Sequence, residues 1–276
     1  MPELPEVETT RKSLEPLLHQ RLESVTVHHA GLRWLVPESI HSLEGHSLQA
    51  IQRRAKYLIF QLDHLQLLIH LGMSGSLRLT DPSEPKRKHD HLIFRFEQSE
   101  LRFHDPRRFG CVLLHPSPLT QKLLGTLGPE PLEGGFDADH LWQQLQRRSA
   151  SVKSVLMDNA VVVGVGNIYA TEALFTAGIH PARPANTVTL SEAQRLTDAI
   201  RQHLNTSIAL GGSTLKDFVN ARGENGYFQQ TLSAYGRKGL PCMRCQTSLQ
   251  ELRIAQRASC FCPECQPLAI DSFTEK

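Results

Sequence analysis

The chain has 276 residues, of which 40% are apolar and 21% are charged, and its formal net charge is +2. This composition is typical of a globular protein and excludes a disordered chain, while the length favours two domains. The longest apolar stretches, at residues 67–73 and 160–165, are far shorter than the ~20 residues that span a bilayer, so we expect no transmembrane helix. The acidic first twenty residues are typical of neither a signal peptide nor a transit peptide, which favours a cytoplasmic protein.

The first predicted element is a helix at the N-terminus. Leu4 and Val7 fall on one face at helical spacing, while Glu3 and Glu6 fall on another. Pro2 stands where helices commonly begin, and acidic residues in a first turn interact favourably with the helix dipole. The pattern therefore predicts an amphipathic helix that begins near Pro2.

Short apolar runs separated by turn residues follow from about residue 22 to residue 115. Strands are predicted at residues 22–27, 48–51, 57–62, 66–70, 91–96, 101–104 and 111–115. Seven or eight short strands in succession predict a β-sandwich or a β-barrel. We therefore expect an N-terminal domain, residues 1–128, that consists of a helix and a β-sandwich.

A loop rich in glycine and proline at residues 128–135 ends this pattern and predicts a domain boundary, with a hinge linker at residues 129–136. Helices are then predicted at residues 137–147, 152–157, 168–177 and 191–210. The last would have Ser191 as its N-cap and Gly211 just beyond its C-terminus. The predicted further organisation comprises a helical domain at residues 137–236, a cysteine-rich segment at residues 237–266 and a tail at residues 267–276.

Cysteines cluster near the C-terminus. Cys242 and Cys245 form one C-x-x-C pair, and Cys262 and Cys265 form a second pair after sixteen intervening residues. Two such knuckles can place four thiolates around one tetrahedral Zn²⁺, whereas a redox dithiol would not require the second pair. Cys260 would break the C-x-x-C spacing if it were a ligand. We expect one structural Zn²⁺ per chain and no other cofactor.

Positive charge is concentrated in the same region. Residues 211–262 contain seven Lys or Arg against three acidic residues. Between the cysteine pairs, the sequence predicts a small β-hairpin on which Arg253 and Arg257 are available to face a polyanion. A basic hairpin stabilised by zinc is suited to DNA binding, although it does not identify a reaction.

Two loops have the composition of a wedge that opens a DNA stack. Residues 105–110, Asp-Pro-Arg-Arg-Phe-Gly, put two guanidinium groups beside an aromatic ring, and residues 71–75, Leu-Gly-Met-Ser-Gly, place a methionine between glycines. Proteins that unstack DNA insert apolar side chains and use arginine to contact the phosphate or the widowed base. Taken alone, each motif is more often a packing methionine or a solvated arginine pair.

Residues 164–170, Gly-Val-Gly-Asn-Ile-Tyr-Ala, precede a predicted helix. Backbone N–H groups at the start of a helix can hold a phosphate group, and close packing of helices explains the glycines equally well. The motif therefore indicates a candidate phosphate site with a structural alternative.

The N-terminus is the most unusual feature of the sequence. Removal of Met1 would leave Pro2 with a secondary amine, which can attack an electrophilic carbon and give an iminium ion. Glu3 and Glu6 lie within one helical turn of this amine and can exchange protons with it. An ordinary helix start is the alternative, and these residues alone favour that alternative.

Motifs along the whole chain together resemble the bacterial formamidopyrimidine-DNA glycosylases. They are MPELPEVET at residues 1–9, RAKY at 54–57, IHLGMSG at 69–75, DPRRFG at 105–110, MDN at 157–159, GVGNIYA at 164–170, and the two cysteine knuckles. The resemblance implies an α+β fold with an N-terminal helix and β-sandwich domain, followed by a helix-two-turns-helix domain with a zinc-finger β-hairpin. It implies a bifunctional DNA glycosylase and AP lyase of base excision repair, which removes 8-oxoguanine and formamidopyrimidines from duplex DNA and cleaves the strand by β,δ-elimination.

The resemblance also implies roles for single residues. Four are catalytic: Pro2 as the nucleophile, Glu3 as the proton donor to the sugar, Lys56 at the lesion nucleotide, and Arg257 at the phosphates that flank the lesion. The implied DNA contacts are His89, Arg107, Lys153, Asn167, Met73, Phe109 and Tyr235. Among these, Met73, Arg107 and Phe109 correspond to residues that fill the gap left by the flipped nucleotide. Residues 214–227 correspond to a loop that covers the extruded base.

The implied partner is damaged double-stranded DNA, bound by a monomer in the cytoplasm without any membrane. Two alternatives stay open: an endonuclease VIII-type glycosylase for oxidised pyrimidines, and a noncatalytic zinc-ribbon protein that binds nucleic acid. Leu4 and Pro5, together with the arginine and phenylalanine motif, favour the purine enzyme, and the zinc-ribbon alternative leaves Pro2 without a purpose. Cys260 and the tail after Gln266 depart from the family pattern.

Overall fold

Two compact units make up the chain in the computed structural model, which describes residues 2–212, 221 and 231–268. The first unit comprises Met1–Thr126 and Ser207–Gln229, and the second comprises Leu127–Thr206 and Gln230–Lys276. No helix in these described ranges combines the length and the apolar character that crossing a membrane requires.

Two four-stranded antiparallel sheets form most of the first unit. The strands are, in chain order, β1 (Leu22–Val27), β2 (Leu48–Arg54), β3 (Tyr57–Leu62), β4 (Leu65–His70), β5 (Ser76–Thr80), β6 (Asp90–Phe96), β7 (Glu100–His104) and β8 (Cys111–His115). One sheet has the order β1-β6-β7-β5 and the other the order β2-β3-β4-β8. In β3, buried residues alternate with half-buried ones, which is the period that predicted this strand. The expected sandwich of short strands is confirmed.

The helix α1 (Leu4–Ser13) packs on β2 and β3. Val7 belongs to the same cluster of buried apolar side chains as Phe60 of β3. An ion pair between Arg53 Nε and Glu8 Oε2, 3.1 Å apart, fixes the helix to β2. The N-terminus is thereby attached to the sheet that also carries Lys56.

The start of α1 differs from the sequence expectation. Glu3 is the N-cap, so Pro2 precedes the cap and Pro5 lies in the first turn of the helix. Pro5 therefore fills the structural position that favours proline in a first turn. The ordinary explanation of Pro2 as a helix-starting residue is wrong.

One strand and one α-helix of the first unit were not predicted from the sequence. β5 contains the buried Arg78, whose Nη2 donates to both carboxylate oxygens of Asp90 at 2.9 and 2.8 Å. The sequence of β5, Ser-Leu-Arg-Leu-Thr, alternates polar and apolar residues as strands do, although Arg78 and Thr80 are buried together with Leu77. The helix α2 (Pro118–Gly125) is short and begins at Ser117, whose Oγ accepts the N–H of Thr120.

The second unit contains most of the helices. These are α3 (Ala138–Gln146), α4 (Val152–Leu156), α5 (Asn167–Ala177) and α6 (Leu190–Ala209), of which the last reaches into the residues of the first unit. A hairpin of β9 (Gln250–Ile254) and β10 (Arg257–Phe261) lies between the two cysteine pairs. Together with the sandwich, these elements confirm the predicted α+β class.

The ends of α6 show one correct expectation and one error. Thr189 and Glu192 form a reciprocal capping box, in which the N–H of Thr189 donates to Glu192 Oε2 at 2.8 Å, so the N-cap is Thr189 and not Ser191. At the other end, Gly211 has φ of 79°, and the N–H of Gly212 donates to the carbonyl of Ser207 at 2.8 Å. This is the left-handed termination that the glycine predicted.

Candidate functional site

Pro2, Glu3 and Glu6 lie together and buried at the N-terminal end of α1. The N–H of Glu3 donates to Glu6 Oε2 at 2.8 Å, so Glu6 fixes the backbone next to Pro2. Gly212 packs against the same carboxyl group, because a Cβ there would stand 3.5 Å from Glu6 Oε1. Both glutamate residues are only 2% exposed, and burial of a carboxylate is unfavourable unless it is hydrogen-bonded or paired with a positive charge. Beside an amine, such groups can donate and accept protons.

Lys56 lies in the two-residue turn that joins β2 to β3. Its neighbour Ala55 has φ of 54°, a conformation that is uncommon for a residue with a side chain and that recurs at functional sites. Lys56 is half-buried and stands near His70. Burial, followed by the positive charges of Lys56 and Arg33, lowers the pKa of His70 from 6.5 to about 4. His70 is therefore neutral at physiological pH.

Two loops of the first unit meet backbone to backbone; we call residues 71–75 the first wedge loop and residues 105–110 the second wedge loop. A Cβ on Gly72 would stand 2.5 Å from both the nitrogen of Gly110 and the carbonyl carbon of Phe109. Gly72 also has φ of 66°. Only glycine satisfies this close approach and this backbone conformation.

The buried carboxylate of Asp105 ties the two wedge loops together. Its Oδ1 accepts the hydroxyl of Ser74 at 2.7 Å, and its Oδ2 accepts the N–H of Gly110 at 2.8 Å. Ser74 Oγ in turn accepts the N–H of Arg107 at 3.2 Å. One carboxylate thus fixes both loops, and the side chains at their tips can remain in solvent.

Three side chains at these tips form an exposed cluster of apolar and cationic groups. Met73 is 43% exposed and Phe109 is 45% exposed, which is unusual for large apolar residues in one place. The guanidinium of Arg107 lies over the ring of Phe109 at 4.8 Å from its centre. Arg108, at φ of 56°, points elsewhere, and its Nη1 donates to His29 Nε2 at 2.9 Å.

A cavity of about 630 Å³ opens beside this cluster. Its lining includes the apolar side chains of Met73 and Phe109, the cationic Arg33 and Arg108, and the neutral imidazole of His70. Apolar faces next to cations suit a ligand that has both a planar ring and an anionic group, as a nucleotide does.

In the second unit, α5 begins without a side-chain cap. Its N-cap is Gly166, which has no side chain to accept the first N–H groups. The first residue is Asn167, and its buried Oδ1 has no hydrogen-bond partner among the residues described. Backbone N–H donors at the positive end of a helix dipole are suited to a phosphate group.

Lys153 is completely buried in the second unit. Its Nζ donates to Thr171 Oγ1 at 2.9 Å, to Ser259 Oγ at 2.8 Å and to the carbonyl of Ala258 at 3.1 Å. These bonds join α4, α5 and β10. The ammonium that the family resemblance assigned to DNA is thus directed into the protein, where it fixes the hairpin to two helices.

Glu172 fixes the backbone at Tyr235 in a similar manner. Its buried carboxylate accepts three consecutive N–H groups, from Ser233 and Ala234 at 2.9 Å each and from Tyr235 at 2.7 Å. The position of Tyr235 is therefore set by a helix that it does not belong to.

The four cysteines of the two knuckles form a metal site. Their sulfur atoms all lie within 4.8 Å of one another, and Cys245 Sγ is 3.5 Å from the sulfur atoms of Cys262 and Cys265. Cys242 Sγ is 3.9 Å from Cys265 Sγ. Sulfur atoms at the corners of a tetrahedron with Zn–S bonds of ~2.3 Å are ~3.8 Å apart, so the set fits one Zn²⁺. Cys260 is buried on β10 and does not belong to this set.

The tip of the zinc hairpin is a strained turn. Ala255 and Gln256 have φ of 46° and 64°, as in a type I′ turn, although neither residue is the Asn or Gly that such turns prefer. Arg257 follows immediately and is exposed at the start of β10. The hairpin therefore presents a guanidinium group from a rigid tip.

Three family models match successive parts of this chain. The formamidopyrimidine-DNA glycosylase N-terminal domain matches residues 1–112, the H2TH domain of the same family matches residues 127–219, and the zinc finger found in FPG and IleRS matches residues 239–268. The chain belongs to the formamidopyrimidine-DNA glycosylase family.

Curated relatives agree over nearly the full length. The formamidopyrimidine-DNA glycosylase of Acinetobacter baumannii (strain SDF) is 54% identical over 268 residues, which cover 97% of this chain and 98% of that protein. The protein of the same name from Acinetobacter baylyi is 55% identical over 269 residues, which cover 97% of this chain and 99% of that protein. The endonuclease VIII and zinc-ribbon alternatives are not favoured by these relatives.

Solved structures of the family share the fold. A complex between a Lactococcus lactis FPG mutant and DNA containing Fapy-dG has a TM-score of 0.90 at 36% identity and covers 96% of this chain and 100% of that one. The MutM (FPG) protein of Thermus thermophilus has a TM-score of 0.86 at 40% identity and covers 96% of this chain and 98% of that one. The α+β fold and the zinc finger are thus those of the family.

The structure groups the predicted site residues into separate clusters. Within the first unit, Pro2 and Glu3 are adjacent, and Met73, Arg107 and Phe109 share the wedge loops. The four cysteines are adjacent in the second unit. The predicted base-covering loop, residues 214–227, lies outside the described residues except for Ala221, whose N–H donates to Ser13 Oγ at 3.1 Å.

The sequence analysis did not recognise two buried acidic residues that hold candidate site residues in place. Asp105 is the first residue of the DPRRFG motif, so the motif already included it. The sequence did not show that its carboxylate links the two wedge loops. Glu172 is the one acidic residue of α5, whose other residues are mostly apolar. An isolated acid in an apolar helix is a signal of a buried anchor, and it could have been recognised.

Proposed function

We propose that this protein is a bifunctional DNA glycosylase and AP lyase of base excision repair, which removes oxidised purines from duplex DNA and then cleaves the strand. Relatives that share half of its sequence bear the name formamidopyrimidine-DNA glycosylase. Similar structures are complexes with DNA that contains Fapy-dG or carbocyclic 8-oxo-G. The observation that carries the proposal is the position of Pro2, which is buried outside α1 beside the carboxyl groups of Glu3 and Glu6.

The chemistry begins when removal of Met1 frees the amine of Pro2. The nitrogen lone pair forms a bond to C1′ as the glycosidic bond breaks, and the base leaves with the bonding electrons. The attached nitrogen loses its proton to a neighbouring carboxylate or to water, and Glu3 gives a proton to the sugar ring oxygen. The C1′–O4′ bond then opens as the nitrogen lone pair forms the C=N bond of an iminium ion. Loss of a proton from C2′ then expels the 3′ phosphate, and a second elimination expels the 5′ phosphate.

Other residues bind and position the DNA in this proposal. Lys56 lies at the lesion nucleotide, because it is a half-buried cation in the hairpin on which α1 packs. Arg257 at the hairpin tip and Asn167 at the start of α5 bind phosphates of the strand. Tyr235 and His89 complete the backbone contacts. Lys153 supports DNA binding through the hairpin that it fixes.

Met73, Arg107 and Phe109 fill the gap that the flipped nucleotide leaves. Their exposure supports this role, because apolar side chains exposed on rigid loops are available for insertion between bases. Asp105 and Gly72 hold the loops from which they project.

We further propose that the protein acts as a monomer in the bacterial cytoplasm, associated with the nucleoid through DNA. The proposed domains are residues 1–128, 137–236 and 237–266, with a linker at 129–136 and a tail at 267–276. The family models, which match residues 1–112, 127–219 and 239–268, support this division. The proposed monomeric state is tested by light scattering, which measures the molar mass of the protein in the presence of a lesion duplex.

Borohydride trapping tests the nucleophile. Reduction of the iminium ion to an amine should link the protein permanently to lesion DNA, and peptide mass mapping should locate the link at Pro2. A protein that retains Met1 should form no link. Trapping that maps to Lys56, or that persists when the N-terminus is blocked, would contradict the proposal.

A panel of duplexes with single lesions tests the substrate class. Duplexes with 8-oxoguanine or a formamidopyrimidine should be cleaved faster than those with oxidised pyrimidines. The opposite order would favour the endonuclease VIII type.

A further inference from the structure

A row of imidazole and guanidinium groups leads from the second wedge loop to an exposed loop between β5 and β6. Arg108 Nη1 donates to His29 Nε2 at 2.9 Å, and the ring of His29 stands 5.3 Å from that of His91. The ring of His91 stands 6.0 Å from that of His89, which ends the loop. The loop is therefore connected through these side chains to Arg108 of the second wedge loop.

This loop carries consecutive cations immediately before His89. Lys86, Arg87 and Lys88 are all exposed, and we call them the basic loop. Arg87 has one ion pair, with Glu84 at 3.9 Å, and its side chain is 61% exposed. An exposed pair of this length contributes ~0–1 kcal/mol, so a phosphate can replace the glutamate at little cost.

Two of the three acidic residues in the same segment, Asp81 and Asp90, accept hydrogen bonds within the segment or from neighbouring strands, while the third, Glu84, pairs with Arg87. Asp81 Oδ1 accepts the N–H of Ser83 at 2.8 Å and its hydroxyl at 2.6 Å. Asp90 is buried, and its carboxylate accepts the N–H of Arg87 at 2.9 Å and bonds from Arg78 and His104. Residues 81–88 therefore expose three positive charges against two negative ones, and the three positive charges are consecutive and immediately precede His89.

Asp90 also makes the basic loop rigid at its C-terminal end. The bond from the Arg87 N–H fixes the backbone of the loop to a carboxylate that two strands hold, since Arg78 lies on β5 and His104 on β7. A surface that is ordered before binding loses less conformational entropy when a ligand arrives.

We infer that the basic loop is an additional contact surface for the phosphate backbone of duplex DNA, which extends the contact of the wedge loops along the flank of the lesion. The inference rests on the proposed function. Lysine and arginine on an exposed loop neutralise phosphates without reading bases, so this contact is independent of sequence and depends on salt. It adds affinity for undamaged DNA as well as for the lesion site.

The salt dependence of DNA affinity tests the inference. We compare the unmodified protein with the triple variant Lys86→Gln, Arg87→Gln, Lys88→Gln on a lesion-free duplex. Each phosphate contact contributes ~0.9 to the slope of log K against log salt concentration. The slope should become shallower by ~0.9 to ~2.7 in the variant, which corresponds to one to three lost contacts.

A matched triple variant separates a local contact from net charge. Lys12→Gln, Lys122→Gln and Arg195→Gln remove the same charge from other exposed positions and should leave the slope unchanged. Equal changes in both triple variants, or a change below ~0.9 in the basic-loop variant, would overturn the inference. Cleavage of a lesion duplex at low salt is measured in parallel. If the unmodified protein does not cleave the lesion duplex, the proposed function is wrong. If it cleaves the duplex while the basic-loop variant keeps the slope of the unmodified protein, only the inference about the basic loop is wrong.

Discussion

The wedge loops and the zinc hairpin both present side chains from short, rigid segments, but they become rigid in different ways. The wedge loops belong to a unit with a large apolar core, and their geometry depends on the backbone contact at Gly72 and on the buried carboxylate of Asp105. The hairpin has two strands of five residues each and few buried apolar side chains. It depends on four thiolates and on the ammonium of Lys153.

This difference shows how the amount of core determines the means of support. Where a core exists, small residues and one hydrogen-bonded carboxylate suffice to fix a loop, because the strands on either side are already immobile. A segment with little core needs a metal, whose binding free energy replaces apolar burial. Perturbing each means of support should therefore have different consequences for the rest of the molecule.

The largest effect is expected from loss of the metal. Cys262→Ser should remove zinc and unfold the hairpin, because structural Zn²⁺ sites contribute ~10–16 kcal/mol of apparent binding free energy. The two sheets should remain folded, since they do not use this site. Elemental analysis, circular dichroism and DNA affinity measure these outcomes. Cys260→Ser is the matched control and should retain zinc; loss of zinc in that variant instead would show that the ligand set is wrong.

Gly72→Ala should be the most damaging single change in the wedge loops. The added Cβ would collide with backbone atoms at 2.5 Å at a position with positive φ, and we expect a loss of about 2 kcal/mol or more in the free energy of unfolding. Gly134→Ala adds the same atom where nothing lies within 4 Å and should be nearly neutral. Urea unfolding measures both, and equal stabilities would refute the close approach.

Phe109→Ala should reduce base excision more than strand cleavage. Unstacking a base costs a few kcal/mol, and this cost is nearly absent at a site that has already lost its base. The rate on an 8-oxoguanine duplex should fall by about tenfold or more, while the rate on a preformed abasic site should change little. Leu35→Ala, which truncates another exposed apolar side chain, is the control. Equal losses on both substrates would indicate a structural role for Phe109.

A gradual loss of stability in acid is expected from buried histidines whose pKa is lowered. The pKa of His70 is lowered to about 4, and burial also lowers the pKa values of His91, His180 and His203. Above pH 6.5, His70 is neutral in both the folded and the unfolded protein. Between pH 6.5 and pH 4, His70 binds a proton in the unfolded chain but stays neutral in the folded protein.

The free energy of unfolding should therefore decrease as the pH falls through this window, by at most ~1.4 kcal/mol per pH unit for each such group. His70→Gln should flatten the dependence measured by urea titration. His64→Gln replaces an exposed imidazole and should not alter it. An unchanged pH profile in His70→Gln would contradict the assignment.

Much of the fold follows from local pattern, whereas the burial of charged side chains depends on partners from other elements. Strands such as β3 are predicted by the alternation of apolar residues, and the cysteine knuckles are predicted by the spacing of the cysteines. β5 has the local alternation of a strand and was missed all the same, whereas the burial of its Arg78 depends on Asp90 from another strand, and no local pattern reveals such a partner. Similarly, the burial of Lys153 depends on Thr171 and Ser259, which are distant in sequence.

In the candidate site too, residue types were predictable from the sequence, whereas contacts between residues remote in the chain were not. The nucleophilic role of Pro2 could be proposed from residue type, and the position of Pro2 before the helix became clear only from the cap at Glu3. The wedge residues could be proposed from the motifs, whereas the role of Asp105 required the three-dimensional contact between two loops. Partners that are remote in the chain were therefore what the sequence did not reveal.

The anchor at Glu172 has a consequence for which substitutions the chain can tolerate. It holds Ser233 and Tyr235 by their main-chain N–H groups, so the anchor is indifferent to the side chains that these positions carry. Replacement of Ser233 by another residue other than proline leaves all three bonds in place. A change at Glu172 removes all three at once. Selection to preserve this attachment therefore acts on one codon in α5, and any constraint on the side chains of the segment has another origin, such as the complete burial of Ala234.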